Sequence, residues 1–199
     1  MAFPRWLWVA LPLWLLGCGL SIQFGLSYQF APGKAADAPP VWPAASSIPL
    51  DPSRPTLVMA CHPRCPCTQA SLSELERLQA RRPGRFSVHL LMLSPSQLSW
   101  EDAAMWRQAR SYSWISVWPD PDRQQSSLFG AWTSGQVLLY DPSGRLRFSG
   151  GITAGRGHEG ENPGMEMLTA ALEGGPASSA PVYGCSLVSP GACCREGKR

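Results

Sequence analysis

Between an apolar run, Thr56-Leu57-Val58-Met59-Ala60, and a long amphipathic stretch lies His62-Pro63-Arg64-Cys65-Pro66-Cys67, and this junction constrains the chain more than any other feature. The apolar run suits a buried strand. Pro66 sits where a first helical residue belongs, because its fixed φ matches that position and its missing N–H is not needed there. Cys65 is then the N-cap, and Cys67 lies inside the first turn. The helix expected over residues 66–82 carries Leu72, Leu75 and Leu78 along one face, with Glu74, Arg77, Arg81 and Arg82 largely elsewhere. Pro83-Gly84 ends it.

That placement gives the cysteines a chemistry. First-turn N–H groups and the positive helix end favour an anion, so a lowered pKa is expected for Cys65, with Cys67 as the resolving thiol. A Cys-X-Cys disulfide closes a smaller ring than Cys-X-X-Cys and carries more strain, which suits exchange better than a permanent staple. A buried structural pair is the competing reading. Seven cysteines do not pair evenly, and an exported chain with that count should hold disulfides, redox-active thiols or both. Cys185, Cys193 and Cys194 lie beyond Gly174-Gly175-Pro176 in a polar tail, where a local or interchain disulfide is expected. A tail cysteine could also resolve Cys65, given reach.

From Trp6 to Leu26 the chain has no charged residue over a length sufficient to cross a bilayer as a helix, and Pro12, Gly17 and Gly19 are tolerable there. Arg5 precedes this segment and Lys34 is the first charge after it, which favours a cytoplasmic N-terminus and places the body in the periplasm or otherwise outside the cytoplasmic membrane. A cleaved signal peptide and a lipoprotein signal at Leu15-Leu16-Gly17-Cys18 are the alternatives. Apolar residues continue from Gly19 through Phe24, which favours retention as an anchor. Residues 27–54 are rich in Pro, Ala and Ser and read as an extended spacer off the bilayer.

Further along, Phe86 to Leu93 reads as a strand, Ser99 caps a helix through Arg110, Ile115 to Trp118 is a short strand, and a helix follows from Pro121 to Phe129. Gln136 to Tyr140 and Arg145 to Phe148 form a hairpin about the turn Asp141-Pro-Ser-Gly144. A Gly-rich loop, Gly150 to Gly164, leads into a final helix through Leu172. That order predicts an α/β domain, a mixed sheet covered on both faces. The formal net charge of +3 is small and its Arg and Lys residues are scattered, so no nucleic-acid footprint is present.

The stretch TLVMACHPRCPCTQASLSEL resembles the strand, active-site turn and first helix of the thioredoxin superfamily, and within it the RedB-like redoxin group. The likeness extends to TSGQVLLYDPSGRLRFSGGITAGRGHEGENPG and to PVYGCSL, covering most of residues 55–187. It implies a thioredoxin-like mixed central sheet with helices on both faces, preceded by the transmembrane helix. The chain then divides into a cytoplasmic stub (1–5), a signal-anchor or signal peptide (6–26), a linker (27–54), a thioredoxin-like domain (55–175) and a Cys-containing tail (176–199). On the family's pattern Cys67 takes the place of the second, buried active-site cysteine and Pro66 keeps the proline. Arg64 stands where the nucleophilic cysteine usually does, so Cys65 must attack from a shifted position. Thr133-Ser134-Gly135 replaces the cis-proline that helps hold extended substrate chains. The loop carrying Arg156 and His158 is expected to approach Cys65, where either residue could stabilise a thiolate or handle its proton. His62 is a further neighbour, whereas His89 reads as structural.

The leading expectation is a membrane-anchored thiol-disulfide oxidoreductase with Cys65 and Cys67 catalytic. It needs no cofactor and no metal, and acts on a protein or small-molecule thiol or disulfide with an electron donor the residues do not name. One alternative is a copper carrier resembling Sco-type chaperones, using Cys61, Cys65 and His158. Another is a tethered binding module in which the cysteines are only staples.

Overall fold

The computed structural model describes residues 4, 6–34, 36–95 and 103–188. Arg5, the expected cap Ser99 and the tail cysteines Cys193 and Cys194 lie outside them. The chain forms two compact units, residues 1–31 and 32–199.

The first unit is α1, Leu7–Gln29, a 23-residue helix with no acidic residue in its first turn, no basic residue in its last and no buried residue. At 1.5 Å per residue it is about 35 Å long, enough to span a hydrocarbon core of about 30 Å. Pro12 lies inside it, and the Ser21 hydroxyl donates to the Gly17 carbonyl at 2.8 Å.

The second unit is built on β1, Thr56–Cys61, all six residues of which are buried. Its apolar character follows from its position, since a strand covered on both faces cannot alternate with polar residues. β1 pairs in parallel with β2, Ser87–Ser94, through α2, Pro66–Arg81, which supplies the crossover a parallel pair requires. After α3 (Ala104–Ser111) the chain forms β3, Ile115–Pro121, which pairs in parallel with β2. The short helix α4, Gln124–Leu128, follows Asp122 and Arg123, both at positive φ. β4, Gln136–Tyr140, returns antiparallel to β1 and turns into β5, Leu146–Gly150. The carboxylate of Asp141 accepts N–H groups from Ser143 and Arg145 in that turn. α5, Pro163–Leu172, is capped by Asn162, whose side chain accepts the Met165 N–H at 2.9 Å. A two-residue strand β6, Ser178–Ser179, pairs with β5 and completes the order β3-β2-β1-β4-β5-β6.

This mixed sheet, with a βαβ half and a ββα half around a central β1, is a thioredoxin-like fold. Leu57, Met59 and Cys61 of β1 face one core with Leu72, Leu75, Trp106 and Leu168 from α2, α3 and α5. Val58 and Ala60 face a second core with Phe129, Tyr140, Ile48 and Leu187.

That second core shows two differences from the sequence reading. The segment read as a spacer packs on the domain: Val41 bridges Arg145, Ile48 is buried, and the Trp42 ring meets Phe129 and Tyr140 edge-on at 5.0 and 5.1 Å. Its prolines forbid a helix but leave an extended chain that the sheet can bind. Leu187, from the stretch read as a polar tail, is 2% exposed. Trp42→Ala should therefore lower stability by about 2 kcal/mol, seen as a lower urea midpoint of the full chain in detergent. A free spacer would leave the midpoint where it was.

Candidate functional site

The site begins where β1 ends. Beyond Cys61 the chain turns through His62-Pro63-Arg64, and the Cys65 N–H donates to the His62 carbonyl at 3.0 Å. His62 is fully buried and organises the turn: its Nδ1 accepts the Arg64 N–H at 3.2 Å, and its own N–H reaches the hydroxyls of Thr68 and Ser134 at 3.3 and 3.1 Å. The Thr68 and Ser134 hydroxyls also hydrogen-bond to each other. Cys65 holds the N-cap position in extended conformation (φ −102°, ψ 122°), with exposed Pro66 opening α2. Cys65 and Cys67 are 1% and 3% exposed.

Their protons are split unequally. Hydrogen bonding from the Cys67 thiol lowers the Cys65 pKa to about 5 against the opposing effect of burial, helped by the amides of Thr68, Cys185 and Cys67. Cys65 is the N-cap as expected; its sulfur makes no ideal cap hydrogen bond, but the first-turn amides of Cys67 and Thr68 are near enough to favour its anion through their dipoles. Cys67 moves the opposite way, because its proton is held against Cys65 and its thiol is buried; the Gly157 N–H and the Arg156 charge oppose that rise. Burial also raises the pKa of Cys61, whose thiol points to the Met59 carbonyl in the main core.

A third sulfur completes the cluster. Cys185 Sγ lies 2.9 Å from Cys65 Sγ, and the sulfurs of Cys65, Cys67 and Cys185 all lie within 4.8 Å of one another. Cys185 is 6% exposed and belongs to a disulfide, whereas Cys18, Cys61, Cys65 and Cys67 are free thiols. Among the described residues this is the group of potential soft-metal ligands, and it includes neither Cys61 nor His158.

The remaining sequence-derived residues divide clearly. Thr133 and Ser134 are buried beside the cysteines, joined to β1 through Gly135, whose N–H donates to the Ala60 carbonyl at 2.8 Å. Gly135 has φ +82°, and a Cβ there would lie 2.8 Å from the Ser71 hydroxyl, so only glycine fits this approach to α2. Arg156 reaches the site: it acts on Cys67, and its guanidinium donates to the Gly184 carbonyl. Arg64 and His158 are exposed and lie outside the sulfur cluster. His89 accepts the Trp118 indole N–H at 3.0 Å within the sheet. The sequence offered Cys185 as a cysteine in a local or interchain disulfide, which it is, or as a possible resolving thiol, but did not place it at Cys65. Its neighbour Gly184 was the one local signal, a residue able to approach another backbone closely. A cavity of about 660 Å³ between α2 and α5 is lined by Glu74, Arg77, Arg81 and Met165 among others, and contains no cysteine.

No protein-family model matches the chain, and no curated protein matches it in sequence. Solved structures do resemble it. A hypothetical protein from Sinorhizobium meliloti is 19% identical with a TM-score of 0.57, over 80% of this chain and 95% of that one. An uncharacterized conserved protein from Geobacillus kaustophilus is 18% identical with a TM-score of 0.57, over 79% and 92%. A secreted Mycobacterium tuberculosis disulfide oxidoreductase overlaps more loosely, at 12% identity and a TM-score of 0.42, over 63% and 84%. At these identities the likeness establishes the fold alone.

The thiolate ultraviolet absorbance of the reduced chain should persist to about pH 5 and disappear as the pH falls below it, because a lowered pKa keeps the anion above that value. A first thiolate that forms only near pH 9 would show that the cysteine pair and helix end exert no such effect.

Proposed function

We propose that this domain is a thiol-disulfide oxidoreductase, carried on α1 as a membrane anchor, in which Cys65 attacks and Cys67 resolves. One observation carries the reading: two free thiols share the first turn of α2, one favoured as an anion and the other holding its proton. An inert structural pair has no need of such asymmetry. The reading also agrees with the resemblance of the sequence to RedB-like redoxins.

The exchange runs in two steps. The Cys65 thiolate attacks one sulfur of a partner disulfide, a Cys65–substrate bond forms, and the other substrate sulfur leaves as a thiolate and takes up a proton. Once Cys65 is no longer an anion, its hold on the Cys67 proton ends, and the Gly157 amide and Arg156 favour the Cys67 thiolate. Cys67 then attacks Cys65 Sγ, the second substrate sulfur leaves, and a Cys65–Cys67 disulfide remains. The same steps in reverse oxidise a dithiol, so the direction depends on the partner's potential. Burial of Cys65 requires the covering chain to move before a protein disulfide can reach it.

A second reading has its own observation. With the Cys185 disulfide reduced, three thiolates within 4.8 Å offer a soft site suited to Cu(I), a ligand set different from the expected Cys61, Cys65 and His158. Loss of all copper from the reduced chain during chelator challenge would remove it.

Cys65→Ser should reduce exchange with model disulfides to the rate of a chain lacking active-site thiols, while Cys67→Ser should leave Cys65 caught in a disulfide it cannot resolve. Undiminished turnover by Cys65→Ser would refute the assignment.

A further inference from the structure

Residues 182–187 run antiparallel to Trp132–Ser134. The Ser134 N–H donates to the Cys185 carbonyl at 2.8 Å, the Leu187 N–H donates to the Trp132 carbonyl at 2.9 Å, and Thr133 faces Ser186 across the bridge. At Gly184 the two backbones leave no room for a side chain, since a Cβ would stand 1.9 Å from the Ser134 carbonyl oxygen. Any side chain there would push the segment off. Its other contacts hold it in place: the Val182 carbonyl accepts the Gly33 N–H at 2.8 Å, the Gly184 carbonyl accepts Arg156, and Leu187 is buried in the second core.

The segment therefore lies as an extended peptide along the loop beside the redox thiols, with its cysteine delivered to them. Backbone pairing fixes its register, and that register sets Cys185 Sγ 2.9 Å from Cys65 Sγ. Cys185 is already oxidised, in a disulfide that includes none of the free thiols Cys18, Cys61, Cys65 and Cys67. A thiol in contact with one sulfur of a disulfide has the proximity that an exchange step requires.

We propose that the Cys185 disulfide is an internal substrate of Cys65, so that the chain carries two redox pairs and passes a disulfide between them. This rests on the reading of Cys65 and Cys67 as an exchange pair. The Cys65 thiolate attacks Cys185 Sγ, a Cys65–Cys185 bond forms, and the former partner of Cys185 leaves as a thiolate and is protonated. The Cys67 thiolate then attacks Cys65 Sγ, forming Cys65–Cys67 and releasing Cys185 as a thiolate that is protonated in turn. Two electrons and two protons have moved from the Cys65/Cys67 pair to the Cys185 pair, with no external oxidant. In reverse, a disulfide generated at Cys65 and Cys67 is passed outward to Cys185. The docked segment pairs with the backbone of Trp132–Ser134, so the relay couples the buried sulfurs of Cys65 and Cys185 within one chain.

The test uses the full-length Cys67→Ser chain in detergent, where the second step is blocked. Acid quenching, alkylation and non-reducing peptide mass mapping should find Cys65 joined to Cys185, with Cys65 alkylation lost from most molecules. If Cys185 keeps its original partner while oxidised glutathione forms a mixed disulfide at Cys65, the relay is overturned and the exchange reading stands. If Cys65 forms a disulfide with neither, both are overturned. The wild-type chain gives a second measurement should that variant fold poorly. After one equivalent of dithiothreitol is added to the fully oxidised chain, thiols should redistribute between the Cys65/Cys67 and Cys185 pairs. Pairs that keep their initial fractions would overturn the relay.

Discussion

The close contact between the first turn of α2 and the loop Thr133–Gly135 is the interaction on which the rest of the site depends. The Gly135 N–H ties the loop to the end of β1, Ser134 and Thr68 join hydroxyls, and the His62 N–H meets both. These are buried polar groups, each costly to leave unsatisfied, so they hold the turn, the helix and the loop in one arrangement. The cysteines inherit their position from that arrangement. So does the extended segment that lies along the loop's other side and brings in Cys185.

Within this frame the chemistry comes from a difference between neighbouring thiols of the same kind. Cys61, Cys65 and Cys67 are all buried, and burial alone would keep every one protonated. Only Cys65 has a donor thiol and several amides turned toward it, enough to outweigh desolvation. Cys61 sits just before the turn with its thiol aimed into the core, and burial dominates. The Cys67 thiol is the largest single influence on Cys65, with the first-turn amides of Cys67 and Thr68 adding to it.

Two stretches read from sequence as a spacer and a tail pack on the domain. Residues around Trp42 and Ile48 cover the sheet face that α2, α3 and α5 leave open, and Leu187 joins them there. Both are extended stretches bound by backbone bridges, at Val41 with Arg145 and at Thr133 with Ser186. This way of covering a sheet lets a segment lie in place without regular structure of its own. It also allows a segment to carry a reactive group to a fixed point.

Local patterns in the sequence were enough for the element order apart from β6, the apolar first helix, the central buried strand, the hairpin and the opening of α2 at Pro66. Each of these is governed by residues a few positions apart: spacing along a helix or strand, a proline's fixed φ, or a turn's glycine. The fold class and the choice of Cys65 and Cys67 as a candidate pair were therefore legible, the latter through a junction of strand, Cys-Pro-Cys and helix. Tertiary structure alone decided that Cys185, 120 residues away, meets Cys65, that the close sulfur group includes neither Cys61 nor His158, and that the extended Pro-rich segment packs on the sheet rather than standing off it. The physical reason is range. A backbone bridge or a sulfur contact between distant residues exists only once the sheet has closed, and a neighbouring glycine such as Gly184 permits a close approach without saying to what.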